Sequence, residues 1–98
     1  MNPGFDPEAL AELADAVGYY ESCNPGLGLE FADEVRTAIT RIASAPDRWR
    51  RIGANVRRYV LPERFPYLIF YLWDEERVTI LAISHASRRP GYWRRRLE

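Results

Sequence analysis

A run of seven apolar residues, Tyr67–Trp73 (YLIFYLW), most constrains how this chain folds. A short run with no polar face is typical of a strand that is covered on both sides, so we predict that it is the central strand of a sheet. Residues 56–61 and 78–84 are predicted to form the neighbouring strands, with a polar turn at 74–76. Short links between successive strands favour an antiparallel meander.

Alternation along the last strand would put alternate side chains on opposite faces of the sheet. The two predicted sets are Val78, Ile80 and Ala82, and Thr79, Leu81 and Ile83.

Two helices are predicted before the strands. Asp6-Pro7 and Asn24-Pro25 are typical helix starts, because the first residue can cap free amides and proline fits the first turn. Gly26 and Gly28 weaken the second start, which we expect nearer Leu29. Pro46 should end this helix near residue 44 or 45. The predicted apolar stripes are Leu10, Leu13, Ala14, Val17 and Tyr20, and Phe31, Val35, Ala38, Ile39 and Ile42.

These elements predict an α+β fold in which a two-helix hairpin packs on a twisted antiparallel sheet of three to four strands. The 98 residues suit one domain over positions 1–98. No apolar run approaches the roughly 18 residues of a membrane span, and no signal-peptide pattern is visible, so we expect a cytoplasmic protein that contacts no membrane. Cys23 has no disulfide partner within the chain. One histidine and one distant cysteine predict no metal site, and we expect no cofactor.

Charge is divided unevenly along a chain whose net charge is zero. The first 40 residues contain eight acids and one base, Arg36, whereas residues 41–98 contain thirteen arginines and six acids, a net charge of +7. This asymmetry indicates a basic face for a nucleic acid, a ribosome or an acidic peptide. All the bases are arginine, which a GC-rich genome alone would also produce.

Several segments, in order, resemble the RelE/ParE superfamily of toxins from type II toxin–antitoxin systems: DPEALAEL, YYE, PGLGLEF, VRRYVL, FPYLIFY and ILAISHASRRPGYW. The resemblance covers residues 6–96 and is closest to the ParE-like, plasmid-stabilisation branch. It implies a helical hairpin on a twisted sheet and a cognate antitoxin that folds along the toxin in a hetero-oligomer. The family commonly begins with a strand. Here Pro3-Gly4 would interrupt pairing, so we expect that strand to be very short, displaced or absent.

The resemblance implies two kinds of target. A ParE-like protein would inhibit DNA gyrase through a docking surface, whereas a RelE-like protein would be a ribosome-dependent mRNA endoribonuclease. A third interpretation is a non-toxic relative that only binds a partner. The H-x-x-R-x-P-x-x-W tail favours the first.

RNA cleavage would need groups that activate the 2′-hydroxyl, neutralise the phosphate and protonate the leaving oxygen. The candidate catalytic residues are His85, Arg88, Tyr92 and Arg57, and the candidate binding residues are Arg58, Arg64, Arg89, Trp93 and Trp49. Each also has a structural interpretation. Arg57 and Arg58 should point to opposite faces, and His85 could simply anchor the tail. Arg88 could pair with Glu63 or an acid of a helix, and the aromatic residues could fill the core.

Overall fold

The computed structural model describes residues 3–97. Its elements, in chain order, are β1 (Gly4–Phe5), α1 (Pro7–Cys23), α2 (Leu27–Ser44), β2 (Arg50–Arg51), β3 (Val56–Val60), β4 (Tyr67–Trp73), β5 (Val78–His85) and a C-terminal 3₁₀ helix (Tyr92–Leu97). The strands form one sheet in the order β1-β5-β4-β3-β2. The predicted α+β fold, a helical hairpin on a mostly antiparallel sheet, is confirmed. No helix within residues 3–97 combines the length and apolar character needed to cross a membrane.

The sheet has five strands, more than the three to four expected, because two strands of two residues each lie at its margins. β1 is parallel to β5, with Gly4 opposite Thr79, so the first strand is present but very short. β2 is antiparallel to β3 and pairs Arg50 with Arg58. Two residues are too few for a detectable apolar alternation, so β2 was not predicted, and β1 was expected only as very short, displaced or absent.

The helix boundaries follow from local capping. The Asp6 carboxylate accepts a hydrogen bond from the Glu8 amide at 2.8 Å, as predicted for this start. α2 begins at Leu27, earlier than expected, because the Glu21 carboxylate of α1 accepts hydrogen bonds from the Gly26 and Gly28 amides at 3.0 and 3.1 Å. An acid on the preceding helix therefore replaces the cap that the glycines do not supply. The predicted end at Ser44 is confirmed.

The main core lies between the helices and one face of the sheet. All five predicted residues of the α2 stripe contribute to it. The α1 stripe was partly wrong: Leu10 is 50% exposed, and Ala14 is also exposed. Ala9 and Ala16 are buried instead. Each precedes a residue of the predicted stripe by one position, which is a rotation of about 100° around the helix axis, and their small side chains let α1 lie close to its neighbours.

β5 departs from simple alternation. The pairing register with β4 shifts between Phe70 and Tyr71, so that Leu81 is an extra residue in β5. Ile80 and Ile83 therefore both belong to the core under the helices, while Leu81 and Ala82 belong to a second cluster. The bulge is the reason that the predicted grouping of Val78, Ile80 and Ala82 was wrong.

A second apolar cluster covers the face of the sheet opposite the helices. Its buried members are Val56, Phe70, Leu81, Ala82 and Trp93. Trp93 comes from the 3₁₀ helix, is 2% exposed, and packs on Phe70 with a ring separation of 4.8 Å. The tail is thus a structural layer, and β4 is covered on both faces as its composition predicts.

Candidate functional site

Four arginines line a cleft of about 270 Å³ on the sheet face that carries the second apolar cluster. Arg58 comes from β3, Arg88 and Arg89 from the loop after β5, and Arg94 from the 3₁₀ helix. We call this the arginine cleft. No acidic residue of the described chain lines it. The cleft is therefore a site of concentrated positive charge.

The tail is held in place by Glu12, whose side chain is only 13% exposed. Its carboxylate accepts hydrogen bonds from Arg96 at 2.9 and 3.0 Å, from the Tyr92 hydroxyl at 2.5 Å and from the Ile83 amide at 3.0 Å. Arg96, 4% exposed, also donates to the Leu81 carbonyl at 3.0 Å. We call Glu12, Tyr92 and Arg96 the Glu12 latch. It joins α1, β5 and the 3₁₀ helix.

The protonation of Glu12 reflects these contacts. Burial alone would raise the pKa of its carboxyl, but the hydrogen bonds from Arg96, Tyr92 and the Ile83 amide outweigh burial and leave the pKa below its ordinary value. The latch therefore contains a charged carboxylate at neutral pH.

Further ion pairs join the tail to α1. Arg95 forms a two-pronged pair with Glu8, at 2.7 and 3.0 Å. Arg88 reaches Glu12 at 3.5 Å and lies over the Tyr92 ring, 3.8 Å from its centroid. The charge asymmetry of the sequence is thus partly cancelled in the fold, because acids of the first half lie against arginines of the tail.

His85 ends β5, and its Nδ1 faces Ser87. The Ser87 amide lies 3.0 Å from Nδ1 and the Ser87 hydroxyl 2.7 Å. Because an amide N–H can only donate, Nδ1 is an acceptor and the proton of the neutral ring is on Nε2. The ring also packs edge-on against Tyr67, at 5.2 Å. The predicted structural contact to the tail is present.

Tyr92 has its hydroxyl committed to the latch. Burial and the hydrogen bond to Glu12 raise the pKa of this phenol above its ordinary value. A phenol that donates to a buried carboxylate is poorly placed to exchange a proton with a substrate in the cleft.

The other candidates are not gathered at one place. Arg57 points away from Arg58, as expected, and donates to the carbonyls of Asp47 and Trp49 at 3.0 and 2.9 Å. Arg64 pairs with Glu30 of α2 and lies over the Phe65 ring. Trp49 is half-buried against Tyr59, with a ring separation of 4.9 Å. The cleft therefore brings together Arg58, Arg88, Arg89, His85, Tyr92 and Trp93 but leaves out Arg57, Arg64 and Trp49.

Four residues that position the tail were not predicted from the sequence: Glu8, Glu12, Arg95 and Arg96. One signal was available. Glu12 lies three residues after Ala9 and four before Ala16, on the buried face of α1. An acid on the buried face of a helix predicts a buried partner cation.

A second surface feature is an apolar groove of about 620 Å³ between the start of the chain and α2. Phe5 and Leu13 form one side, and Val35, Ile39 and Ala43 of α2 form the other. We call it the apolar groove. It lies beside the main core, since Phe5, Leu13 and Ile39 also pack against that core.

Comparison with known proteins identifies a family and related solved structures. The model of a family described as "ParE toxin of type II toxin-antitoxin system, parDE" matches residues 5–90. A solved structure titled "Chromosomal ParDE TA system from P. aeruginosa" aligns with a TM-score of 0.74 at 19% sequence identity, covering 89% of this chain and 97% of that chain. No curated protein matches the chain. The structural likeness supports the fold, and the family match extends from β1 to the loop before the 3₁₀ helix.

Proposed function

Because this chain belongs to the ParE toxins of type II toxin–antitoxin systems, and is thus the toxin component of such a module, we propose that it inhibits DNA gyrase by binding. In this proposal it acts in the cytoplasm and does not cleave RNA. The observation that carries the proposal is that His85 has no second free proton-transfer group beside it. Its Nδ1 accepts from the Ser87 amide and leaves only Nε2 open, while the Tyr92 hydroxyl already donates to Glu12.

A nuclease would need a base and an acid that converge on one phosphodiester. In this chain the Nδ1 of His85 accepts from Ser87, the Tyr92 hydroxyl donates to Glu12, and Arg57 is on the opposite face of the sheet from Arg58. A binding inhibitor needs no such pair. It needs a fixed surface, and the 3₁₀ helix held by the Glu12 latch supplies one.

The test compares the two targets with purified components. We expect the toxin to block supercoiling by gyrase and to increase gyrase-dependent DNA breaks, while transcripts in a purified translation system stay intact. Toxin mixed with its antitoxin is the control for specific inhibition. Ribosome-dependent transcript cleavage without any effect on gyrase would contradict the proposal.

Tyr92→Phe sharpens this comparison. The substitution removes only the hydroxyl, so a nuclease that used this phenol would lose about 100-fold or more of its activity. We expect gyrase inhibition by Tyr92→Phe to stay within about twofold of the parent once folding has been confirmed by circular dichroism, because the two hydrogen bonds from Arg96 to Glu12 still hold the 3₁₀ helix in place. A large loss of inhibition from a folded variant would count against a binding mechanism.

The antitoxin partner that the family implies is proposed to cover the apolar groove. This groove presents Phe5, Leu13 and Ile39 to solvent, and apolar recesses of this kind favour an amphipathic segment of a partner. The rim residue Arg36 has its charge paired with Asp33 at 2.7 Å, so the recess itself is mainly apolar.

Ala43→Arg tests the groove, because it puts a long charged side chain on the wall formed by α2. We expect at least about tenfold weaker antitoxin binding by calorimetry, since a charge in an apolar contact is costly. Thr37→Arg is the matched control, on the same helix at an exposed position outside the groove. Equal affinities for the two variants would place the antitoxin elsewhere.

A further inference from the structure

The positive charge in the arginine cleft is largely uncompensated. Arg89 and Arg94 form no ion pair with any described residue, and the acids nearest the tail, Glu8 and Glu12, are already paired with Arg95 and Arg96. Arg88 is only loosely paired, at 3.5 Å. The ion pairs that hold the tail thus involve the nearby acids, and the cleft keeps its positive charge.

Arg58 gives a second, independent indication that the cleft binds a ligand. It is half-buried on β3, lines the cleft and forms no ion pair with a described residue. A half-buried guanidinium without a counter-charge is unfavourable unless an anionic ligand supplies one. The residue is fixed by the sheet, with Arg50 on one side and Phe70 on the other.

We propose that the arginine cleft binds a backbone phosphate of nucleic acid. This inference rests on the proposed function: the bound phosphate belongs to DNA held by gyrase, so that the toxin engages the gyrase–DNA complex and not the enzyme alone. Arginines approach from a strand, a loop and the 3₁₀ helix, that is, from different directions. Tetrahedral phosphate oxygens accept hydrogen bonds from several directions, whereas a planar carboxylate suits a single arginine fork.

The cleft suits the sugar–phosphate backbone of a nucleic acid and not its bases. Its aromatic side chains Phe70 and Trp93 are 8% and 2% exposed, and the Tyr92 ring has the Arg88 guanidinium over it, 3.8 Å from its centroid, so none offers a free ring face for stacking. A volume of about 270 Å³ is enough for a phosphate with its sugar. Binding should therefore be independent of sequence and strongly dependent on salt.

The test measures binding by the toxin alone, using fluorescence anisotropy with a labelled 20-base-pair DNA duplex of mixed sequence and an RNA duplex of the same sequence. Arg89→Ala/Arg94→Ala removes two exposed cleft arginines. Arg48→Ala/Arg77→Ala is the matched control, which removes the same number of exposed arginines without an ion pair among the described residues, from positions outside the cleft.

We expect the cleft variant to bind DNA about tenfold or more weakly than the parent, and its slope of log affinity against log salt to be smaller by about 2. The control variant should stay within about twofold. Arg58→Met, which keeps an apolar stem on the strand, should also weaken binding. Similar affinity for DNA and RNA would identify the phosphodiester as the shared ligand and support the proposal.

Several outcomes would overturn it. Equal losses in the cleft and control variants would mean diffuse attraction, and binding of RNA alone would remove the link to gyrase. Absence of DNA binding by the parent would also overturn it, and if the cleft variant then lost binding to gyrase protein or antitoxin in a separate assay, the cleft would belong to a protein partner. Because the assay contains no gyrase, a failed gyrase assay would not affect its result, so the two proposals can fail separately.

Discussion

At the scale of single residues, Glu12 determines where the end of the chain lies. Its carboxylate accepts hydrogen bonds from the side chains of Tyr92 and Arg96 and from the Ile83 amide, so three distant segments meet at one group. The arginines of the second half of the chain indicated a basic face, but the sequence did not identify Glu12 as a partner of the tail. The pairing spans more than 80 positions, and no local pattern specifies such a distance.

The latch gives a testable stability effect. Glu12→Gln removes the nearer of the two acids paired with the buried Arg96 guanidinium and leaves only the partly exposed Glu8, at 3.3 Å, so the free energy of unfolding should fall by about 3 kcal/mol. Urea denaturation followed by tryptophan fluorescence measures this. Asp15→Asn, at an exposed position of the same helix, should change stability by less than about 0.5 kcal/mol.

The free energies of unfolding of the parent and of Glu12→Gln should depend differently on pH. Because the folded state holds the pKa of Glu12 below its ordinary value of 4.5, the stabilisation is complete above that pH and is lost as the pH falls through the lowered value. Parent stability should therefore decrease more steeply than that of Glu12→Gln between about pH 5 and about pH 3. Parallel curves would show that Glu12 is not the group responsible.

The candidate site residues were only partly predictable at this scale. Opposite orientations for Arg57 and Arg58 followed from strand geometry, and the contact between His85 and the tail was foreseen. The gathering of Arg58 with Arg89 and Arg94 was not, because it depends on how the 3₁₀ helix folds back over the sheet. Their functional roles remain predictions.

At the scale of elements, the long helices and the three long strands were predictable because each has enough residues to show a pattern of apolar positions. The margins were less predictable, since β1 and β2 are two residues long: β2 was not predicted, and β1 was expected only as very short, displaced or absent. The bulge at Leu81 also escaped, because β5 is apolar on both faces and the sequence therefore gives no sign of a phase change. Burial of both faces hides register from sequence analysis.

The junction of α1 and α2 gives a matched pair of glycine predictions. A Cβ on Gly28 would lie 2.6 Å from the Val17 carbonyl oxygen, so Gly28→Ala should lower the free energy of unfolding by about 2 kcal/mol despite the better helix propensity of alanine. Gly18 has open space around its Cα and lies within α1, so Gly18→Ala should raise that free energy by about 0.5–1 kcal/mol. Thermal melts in parallel would show opposite shifts. Stabilisation by both variants would mean that the two helices separate easily.

At the scale of the whole molecule, the sheet lies between two layers of unequal size. The helical hairpin covers one face, and a six-residue 3₁₀ helix covers the other with Trp93. The sequence predicted the first layer from its periodic stripes. The second could be stated only as an alternative, because a single tryptophan in a basic tail fits both a packed and an exposed position.

This arrangement makes Trp93 important for the whole fold. Trp93→Ala should reduce the free energy of unfolding by about 4 kcal/mol, because it removes a fully buried ring from the second cluster. Leu97→Ala is the control in the same helix, since Leu97 is 44% exposed and should matter little. Chemical denaturation of both variants tests this. A loss of less than about 1 kcal/mol for Trp93→Ala would show that the tail is only loosely attached.

Unpaired strand margins are where folded proteins can polymerise through their backbones. On the outer side of β5 the Leu81 carbonyl and the Ile83 amide, just past the end of β1, are already bonded to Arg96 and Glu12. The side chains of Arg96 and Glu12 therefore satisfy two backbone groups that an additional strand would otherwise pair with. A copy released from its antitoxin thus gains no backbone template for fibre growth there, and the margins left in residues 3–97 are the one formed by β2 and β3 and the two residues of β1.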